Sequence, residues 1–225
     1  MNDPSTRIPS THTSTPHRVS DNATLDKVYT AQNHEQLMQA YKTWASDYDA
    51  DVVDAFGYVA HIMSARALDQ ALEGQRDVTI LDAGSGTGLV GEQLCKLGYT
   101  TMDALDYSRE MLEEAKKKQL YRRHIQADMS QPLALNDNSY DAVVCSGTFT
   151  YGHVKAEAFD ELVRVTRPGG VICFTIREGA YSDYGYRRRM VTLEYQQAWE
   201  LLSLYDTDYL KNEGTRCKVC SYQVC

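Results

Sequence analysis

A glycine-rich segment directly after a short apolar run constrains this chain more than any other feature. The run over residues 78–81 is apolar and β-branched, as in a buried strand, and Gly84, Gly86 and Gly88 follow it. Glycines between a strand and a helix allow positive φ angles and let a ligand approach the backbone closely. The following helix start offers free N–H groups and a positive dipole end. Ligands of open α/β sheets bind beyond the carboxyl ends of the strands, so the sequence predicts a small-molecule site at this loop.

The rest of the chain alternates between apolar β-rich runs and helical patterns. Strands alternating with helices of about ten residues predict βαβ units and a parallel sheet covered on both faces. Before the loop, apolar residues recur at three- and four-residue spacings and predict helix from residue 22 to residue 73. The predicted strands cover 78–81, 100–105, 123–127, 140–145 and 171–176, and the predicted helices cover 89–96, 110–118, 156–165 and 186–202. A turn at 168–170 precedes the strand at 171–176, and short β-like segments at 204–210 and 217–225 end the chain.

The composition is that of one globular domain. Hydrophobic residues make up 43% and charged residues 24% of the 225 residues, which is ordinary for a folded protein. We predict a disordered tail over 1–21, because it is rich in Ser, Thr and Pro, and one domain over 22–225. Residues 22–74 would form a helical N-terminal cap and residues 75–225 the ligand-binding core.

The net charge of −8 indicates which partners to expect. An acidic protein repels phosphate polyanions, so we expect binding to neither nucleic acid nor anionic membrane. No run reaches the 18 or so apolar residues of a membrane span. Without an apolar signal segment, a cytoplasmic location is expected. The tail is poor in acids and contains Arg7 and Arg18, which leaves a mitochondrial location as an alternative.

The cysteines near the end of the chain invite a metal interpretation. Cys217 and Cys220 form a Cys-x-x-Cys pair, and Cys225 follows. A zinc site would need a second pair or histidine partners, which the neighbouring sequence lacks. We therefore expect no metal and interpret these residues as small apolar groups in a terminal strand.

The glycine loop itself admits two ligands. The pattern Gly86-x-Gly88-x-x-Gly91 formally matches the dinucleotide fingerprint, but its glycines begin several residues beyond the strand. Asp82 also places a carboxylate at the strand end, close to where a pyrophosphate would lie. Like charges about 4 Å apart cost about 4 kcal/mol at an effective dielectric of about 20. The same carboxylate would attract an ammonium group, which favours S-adenosylmethionine, a cofactor with an ammonium, a sulfonium and no phosphate.

A family resemblance agrees with this choice of cofactor. The segment 82–88, Asp-Ala-Gly-Ser-Gly-Thr-Gly, resembles motif I of the class I S-adenosylmethionine-dependent methyltransferases. Similar matches follow in order across residues 78–178: Asp106 in Leu-Asp-Tyr-Ser, the pair Asp128-Met129, the strand at 140–146 and the segment 162–170. The segment 41–52 resembles the entry segment of the methyltransferase-like subgroup of the Williams-Beuren critical-region type.

The resemblance implies a fold, an activity and a set of site residues. The fold would be Rossmann-like and doubly wound, with a mostly parallel seven-stranded sheet, a C-terminal antiparallel strand and the helical N-terminal extension. Asp106 would hold the ribose hydroxyls, Asp128 and Met129 the adenine, and Tyr41 and Tyr48 the methionyl part. The full set of residues expected to bind S-adenosylmethionine is Tyr41, Tyr48, Asp82, Gly84, Ser85, Gly86, Gly88, Asp106, Tyr107, Met111, Asp128, Met129 and Ser146.

The expected reaction is transfer of a methyl group to a small-molecule acceptor. The cofactor supplies its own electrophile, so a catalytic residue is not obligatory. If the acceptor must lose a proton, Tyr151 and His153, which follow the fourth strand, are the candidate bases. The segment 187–189, Arg-Arg-Arg, could grip an anionic or aromatic acceptor, although a solvated helix face is the plainer interpretation.

Three questions remain open at this level. The identity of the acceptor and of the atom that is methylated does not follow from these residues, and neither does the oligomeric state. A binding protein that takes S-adenosylmethionine without transferring its methyl group, as a sensor or partner-binding subunit, is the alternative function.

Overall fold

A computed structural model of the protein describes residues 27–28, 30–31, 34–151 and 154–225. The predicted tail over 1–21 and the candidate base His153 lie outside the described residues. The first part of the predicted helical extension, up to residue 26, lies outside them as well.

Seven strands form one sheet in the order β3-β2-β1-β4-β5-β7-β6. The adjacent strands among β1 to β5 pair in parallel, whereas β7 is antiparallel to both of its neighbours, β5 and β6. The predicted Rossmann-like, mostly parallel, seven-stranded sheet with a C-terminal antiparallel strand is therefore confirmed. The strands are β1 (Ile80–Ala83), β2 (Met102–Asp106), β3 (Arg123–Gln126), β4 (Tyr140–Phe149), β5 (Thr166–Arg177), β6 (Trp199–Leu210) and β7 (Thr215–Val224).

Helices cover both faces of this sheet. On one face, α2, α3 and α4 pack against Ile80 and Val144. On the other face, α5 and α7 pack against Leu81 and Val143. Neighbouring residues of one strand thus enter opposite cores, as the two-residue period of a strand requires. The helices are α1 (His34–Trp44), α2 (Ala60–Ala71), α3 (Leu89–Lys96), α4 (Arg109–Lys117), α5 (Ala158–Val165), the short α6 (Ala180–Asp183) and α7 (Tyr186–Tyr195), and none is long and apolar enough to cross a membrane.

A buried carboxylate joins three strands at their amino-terminal halves. Asp103 on β2 is fully buried and accepts hydrogen bonds from Arg122, Arg123 and Tyr140. Arg123 also donates to the Tyr140 hydroxyl at 2.8 Å. Burial alone would raise the pKa of Asp103, but these donors lower it below the ordinary value. The carboxylate therefore fixes β3 and β4 relative to β2.

The N-terminal extension is less regular than its sequence pattern predicts. The pattern continues through residues 52–72, but the chain forms a π-helix over Ala50–Ala55 and then leaves the helical path. Gly57 takes a φ of 65°, and Tyr58 forms an isolated bridge to Leu210 at the end of β6. Only at Ala60 does α2 begin. Pairing with a strand more than 150 residues away overrides the local preference, and spacing along the chain cannot reveal it.

Three predictions about element boundaries are wrong in the second half of the chain. The predicted helix over 186–202 ends at Tyr195, and β6 begins at Trp199, whose buried indole N–H donates to the Met190 carbonyl. The predicted turn at 168–170 lies within β5, where it bulges out of register. The fourth strand continues to Phe149, beyond the predicted end at residue 145.

The two cysteines of the Cys-x-x-Cys pair lie on opposite faces of β7. Cys217 packs against the N-terminal extension and Cys220 against the core on the other face. Side chains three residues apart in a strand point away from each other, so these two cannot bind one metal ion. Cys225 is exposed at the chain end.

Candidate functional site

A cleft opens at the carboxyl ends of β1, β2, β3 and β4. About 740 Å³ of space free of protein atoms lies within it, part of which is open to solvent. The sheet order places the strand ends side by side, so residues far apart in sequence meet here. The lining residues are Leu37, Met38, Tyr41, Tyr48, Gly84, Gly86, Asp106, Tyr107, Ser108, Met111, Ala127, Asp128, Met129, Ser146, Gly147, Thr148 and Val154.

The glycine loop forms the floor of this cleft. Gly84, Gly86 and Gly88 have φ angles of 74°, 53° and 90°, which residues with a side chain rarely adopt. A Cβ atom on Gly84 would overlap the Thr148 hydroxyl, whereas the Cβ position of Gly86 has no heavy atom within 4 Å. The backbone at Gly86 is therefore open to a ligand.

Asp106 connects the glycine loop to the next helix. Its carboxylate accepts the N–H groups of Gly86 and Ser108, both at 2.8 Å. The Ser108 hydroxyl in turn caps α4 by accepting the Met111 N–H at 3.2 Å. Burial raises the pKa of Asp106, and the backbone donors offset part of this shift. The carboxylate is fixed at the end of β2 and lines the cleft, as the sequence predicts for a ribose-binding residue.

Asp128 and Met129 lie at the end of the cleft nearest β3. Asp128 accepts hydrogen bonds from the Ser130 N–H at 2.8 Å and from its hydroxyl at 2.5 Å. Met129 is buried and packs into the core beneath the cleft. The structure thus brings both predicted adenine-binding residues to the cleft, on the far side of Asp106 from the glycine loop.

The N-terminal extension covers the cleft from above. Tyr41 and Tyr48 line it and pack against each other and against Trp44, whose ring centroid lies 4.7 Å from that of Tyr48. Between Tyr48 and the π-helix, Asp49 accepts a short hydrogen bond from the Thr87 hydroxyl of the glycine loop. The same carboxylate pairs with Lys118 at 2.6 Å. Asp49 therefore ties the cover to the floor of the cleft.

A chain of hydroxyl groups supports the end of the cleft at β4. The Ser146 hydroxyl accepts from Ser64 at 3.0 Å and shares a hydrogen bond with Tyr58 at 3.1 Å. His61 stacks on Tyr58 with ring centroids 5.1 Å apart, and burial lowers its pKa to about 4. Burial also keeps the pKa of Tyr58 well above its usual value, so the phenol keeps its proton. Sequence reasoning predicts Ser146 but misses Tyr58 and Ser64, which lie within a helical pattern and carry no motif.

Three of the residues predicted to bind the cofactor lie beneath the cleft instead of lining it. Asp82 is fully buried, and its Oδ2 accepts the Tyr121 hydroxyl at 2.6 Å. Ser85 is buried as well, and Gly88 packs against the Tyr121 ring. Direct contact with a ligand is therefore not available to the Asp82 side chain, and any influence on a ligand acts through its electric field.

The candidate base Tyr151 and the arginine segment do not line the cleft. The Tyr151 hydroxyl donates to the Glu178 carbonyl at 2.7 Å, and the Arg177 guanidinium lies 4.9 Å from its ring centroid. In the segment 187–189, Arg189 pairs with Asp160, while the other two arginines are exposed on α7. This agrees with the interpretation of the segment as a solvated helix face.

The charges of the cleft decide between the two candidate ligands. Among its described lining residues two are acidic, Asp106 and Asp128, and none is Lys, Arg or His. Carboxylates accept hydrogen bonds from hydroxyl and amino groups, whereas a diphosphate needs donors or positive charge. The fold and the cleft therefore indicate a class: a Rossmann-like protein whose cofactor brings hydroxyl, amino or cationic groups to the cleft in place of a diphosphate.

Comparisons with known proteins agree with this class. A family profile described as a methyltransferase domain matches residues 81–174. Human methyltransferase-like protein 27 is 35% identical over 186 residues, which cover 80% of this chain and 75% of that protein. A malonyl-[acyl-carrier protein] O-methyltransferase of Buchnera aphidicola is 31% identical and is matched over 66% of its length and 76% of this chain. An S-adenosylmethionine-dependent methyltransferase of Corynebacterium glutamicum has the same fold, with a TM-score of 0.61 at 19% identity, covering 83% of this chain and 100% of that one.

The chain belongs to the class I S-adenosylmethionine-dependent methyltransferases. Of the two functions left open by the sequence, the comparisons support the enzyme, with S-adenosylmethionine as its cofactor.

Proposed function

We propose that the methyl acceptor is a small molecule that enters the cleft at the end of β4. One observation supports this proposal most directly: Leu37, Met38, Tyr41 and Tyr48 roof the cleft, so the reacting groups lie under a cover. A roofed cleft admits a small molecule or a thin extended chain more easily than a duplex or a folded surface. The net charge of −8 also disfavours a polyanionic acceptor.

The order of strand ends suggests how cofactor and acceptor share the cleft. With adenine near Asp128 on the β3 side and the ribose at Asp106, the methionyl part lies near Gly84 and beneath Tyr48. The acceptor then lies at the β4 end, beside Ser146. When bound, S-adenosylmethionine supplies an electrophilic methyl group and a neutral thioether leaving group. The protein contributes by orienting the acceptor and excluding water.

The hydroxyl groups at the β4 end fit a supporting role rather than that of a base. Tyr58 keeps its proton, because burial raises its pKa, and Tyr151 donates its proton to a carbonyl group. An acceptor that already has a free lone pair, such as a carboxylate, an amine or a thiolate, would need no base. Acceptors of these kinds are therefore the first to test. For an acceptor that must lose a proton, His153, which lies outside the described residues, is the remaining base candidate from the sequence.

The decisive experiment measures release of S-adenosylhomocysteine across a panel of small acids, amines, thiols and phenols. We expect turnover on one of these classes and none on RNA, DNA or protein. The matched control is Asp106→Asn, which keeps the shape of the side chain and loses its charge. Turnover only on macromolecules would contradict the small-molecule proposal without affecting the family assignment. The cytoplasmic location also remains a proposal, which imaging of the tagged full chain would check.

A further inference from the structure

The Tyr121 ring fills a notch between two glycines of the loop. A Cβ atom on Gly91 would overlap the Tyr121 hydroxyl oxygen and lie 2.5 Å from Cζ. A Cβ atom on Gly88 would lie 3.1 Å from Cε2 of the same ring. Real Cβ atoms essentially never come within 3.0 Å of such atoms, so glycine at position 91 is needed for the ring to enter, and a Cβ atom on Gly88 would make an unusually tight contact with the same ring. The third glycine of the apparent dinucleotide fingerprint thus makes room for a tyrosine.

From this notch the Tyr121 hydroxyl reaches the Asp82 carboxylate. The hydroxyl donates to Oδ2 of Asp82 at 2.6 Å, inside the protein, where Asp82 has no exposed surface. The other carboxylate oxygen, Oδ1, is also buried and has no hydrogen-bond partner among the described residues. An ionised carboxylate in such a place is costly unless donors or a cation stabilise it. Tyr121 is the side-chain donor that the described part of the chain supplies.

The other groups facing this pair offer no positive charge. Asp106 on β2 faces Asp82 and disfavours its ionisation, and so does burial. Tyr58 from the extension and Cys145 from β4 face the same carboxylate, and Glu92 on α3 faces Tyr121. Among the described residues, no Lys, Arg or His forms a salt bridge with Asp82. The pair therefore lies in a negative environment, directly below the loop whose upper side forms the floor of the cleft.

We propose that Tyr121 is a positioning residue that favours the ionised form of Asp82 beneath the glycine loop. The Asp82 charge then attracts the α-ammonium group of S-adenosylmethionine across the backbone at Gly84. The notch at Gly88 and Gly91 positions the Tyr121 ring, and the Tyr121 hydroxyl stabilises this charge. The inference rests on the cofactor class and is independent of the acceptor.

The inference predicts how affinity changes with pH. Burial raises the pKa of Asp82 to about 7, and the Tyr121 hydroxyl and the Gly91 backbone N–H offset only part of this shift. A cationic ligand prefers the ionised carboxylate, so its affinity rises as the pH increases from 6 to 8.5. Removing the Tyr121 hydroxyl raises the pKa of Asp82 further and moves this rise to higher pH. A shift of about one pKa unit makes binding up to tenfold weaker near pH 7, and the loss shrinks towards pH 8.5.

Two ligands and two matched variants test the inference by calorimetry. S-adenosylhomocysteine carries the ammonium group, whereas 5′-methylthioadenosine has the adenosine and sulfur without it. Tyr121→Phe is compared with Tyr99→Phe, which removes a tyrosine hydroxyl that also donates to an aspartate, Asp69, at 3.0 Å, in a part-buried pair away from the cleft. We expect Tyr121→Phe to shift the pH profile for S-adenosylhomocysteine alone, and Tyr99→Phe to shift neither profile. Asp82→Asn should make the profile for S-adenosylhomocysteine match that for 5′-methylthioadenosine.

Several outcomes would overturn the inference. One is a wild-type protein that binds both ligands with the same pH profile. Another is a Tyr121→Phe variant whose affinity for both ligands falls by the same factor at every pH, since that result indicates a purely structural role for the hydroxyl. Retained binding of 5′-methylthioadenosine by Tyr121→Phe shows that the variant is folded, so a missing shift cannot be attributed to unfolding.

Discussion

Replacing Gly91 by alanine should destabilise the protein, although the same change stabilises most helices. Gly91 lies in the first turn of α3 and has no positive φ angle, so its backbone suits alanine. In a helix interior, alanine is favoured over glycine by about 1 kcal/mol. Here the new methyl group would occupy the place of the Tyr121 hydroxyl. Either the ring leaves its notch or α3 moves away from it.

The magnitude follows from three contributions. Overpacking a tight site costs about 1–3 kcal/mol. Displacing the hydroxyl removes a hydrogen bond to a buried carboxylate, which costs about 1.5–3 kcal/mol. Subtracting the helix preference of about 1 kcal/mol leaves a net loss of about 1.5–5 kcal/mol in the free energy of unfolding.

Urea unfolding of a double-mutant cycle isolates the cause. In a Tyr121→Ala background the notch is empty, so Gly91→Ala should become neutral or stabilise the protein by up to about 1 kcal/mol. The sign of the effect thus depends on a residue 30 positions away. If Gly91→Ala cost the same in both backgrounds, the requirement for glycine would lie elsewhere, and the notch argument would fail. A wild-type background that tolerates Gly91→Ala would refute it equally.

Three further predictions concern acidic residues. Asp106→Asn should weaken S-adenosylhomocysteine binding at least tenfold in calorimetry, because charge-assisted hydrogen bonds are roughly twice as strong as neutral ones; unchanged affinity would count against the ribose role. Asp103→Asn should lower the free energy of unfolding by about 2 kcal/mol at pH 7. Burial raises the pKa of Asp103, but hydrogen bonds from Arg123 and its neighbours lower it overall. The ionised carboxylate therefore stabilises the fold above the pKa that Asp103 has in the unfolded chain, and this stabilisation is lost on acidification. The free energies of unfolding of the wild type and of Asp103→Asn should converge towards pH 3 in urea titrations. Asp49→Asn should speed dissociation of S-adenosylhomocysteine in stopped-flow measurements, since it weakens the tie to Thr87; an unchanged rate would contradict this.

The order of elements could be predicted from the sequence because its signals are local. Apolar period and glycine position fix β1, α3 and the strands that follow, and the structure agrees with them to within a few residues. The errors occur where a segment distant in the sequence determines the local structure. Tyr58 leaves the helical pattern to pair with Leu210, and Trp199, in the edge strand β6, pairs with Val224 of β7. No spacing within a window of about 15 residues contains either partner.

The site residues likewise fall into two groups, those that the sequence predicts and those that it does not. Residues that end a strand, such as Asp106 and Asp128, could be predicted to share one edge because parallel strands align their carboxyl ends. The groups that support them could not. Tyr58 reaches Ser146 across 88 positions, and Tyr121 reaches Asp82 across 39. These tyrosines belong to no motif, and only the folded chain brings their hydroxyls to the loop.

The same spacing of three glycines can therefore arise for two unrelated physical reasons. In a dinucleotide site the third glycine lets the helix pack closely against its strand, next to a bound pyrophosphate. Here Gly91 admits the Tyr121 ring, whose hydroxyl stabilises a carboxylate that would repel a pyrophosphate. The spacing of glycines records only that a side chain is excluded. What occupies the space, a phosphate group or a phenol, determines the charge of the ligand that the loop accepts, and here the phenol indicates a cation.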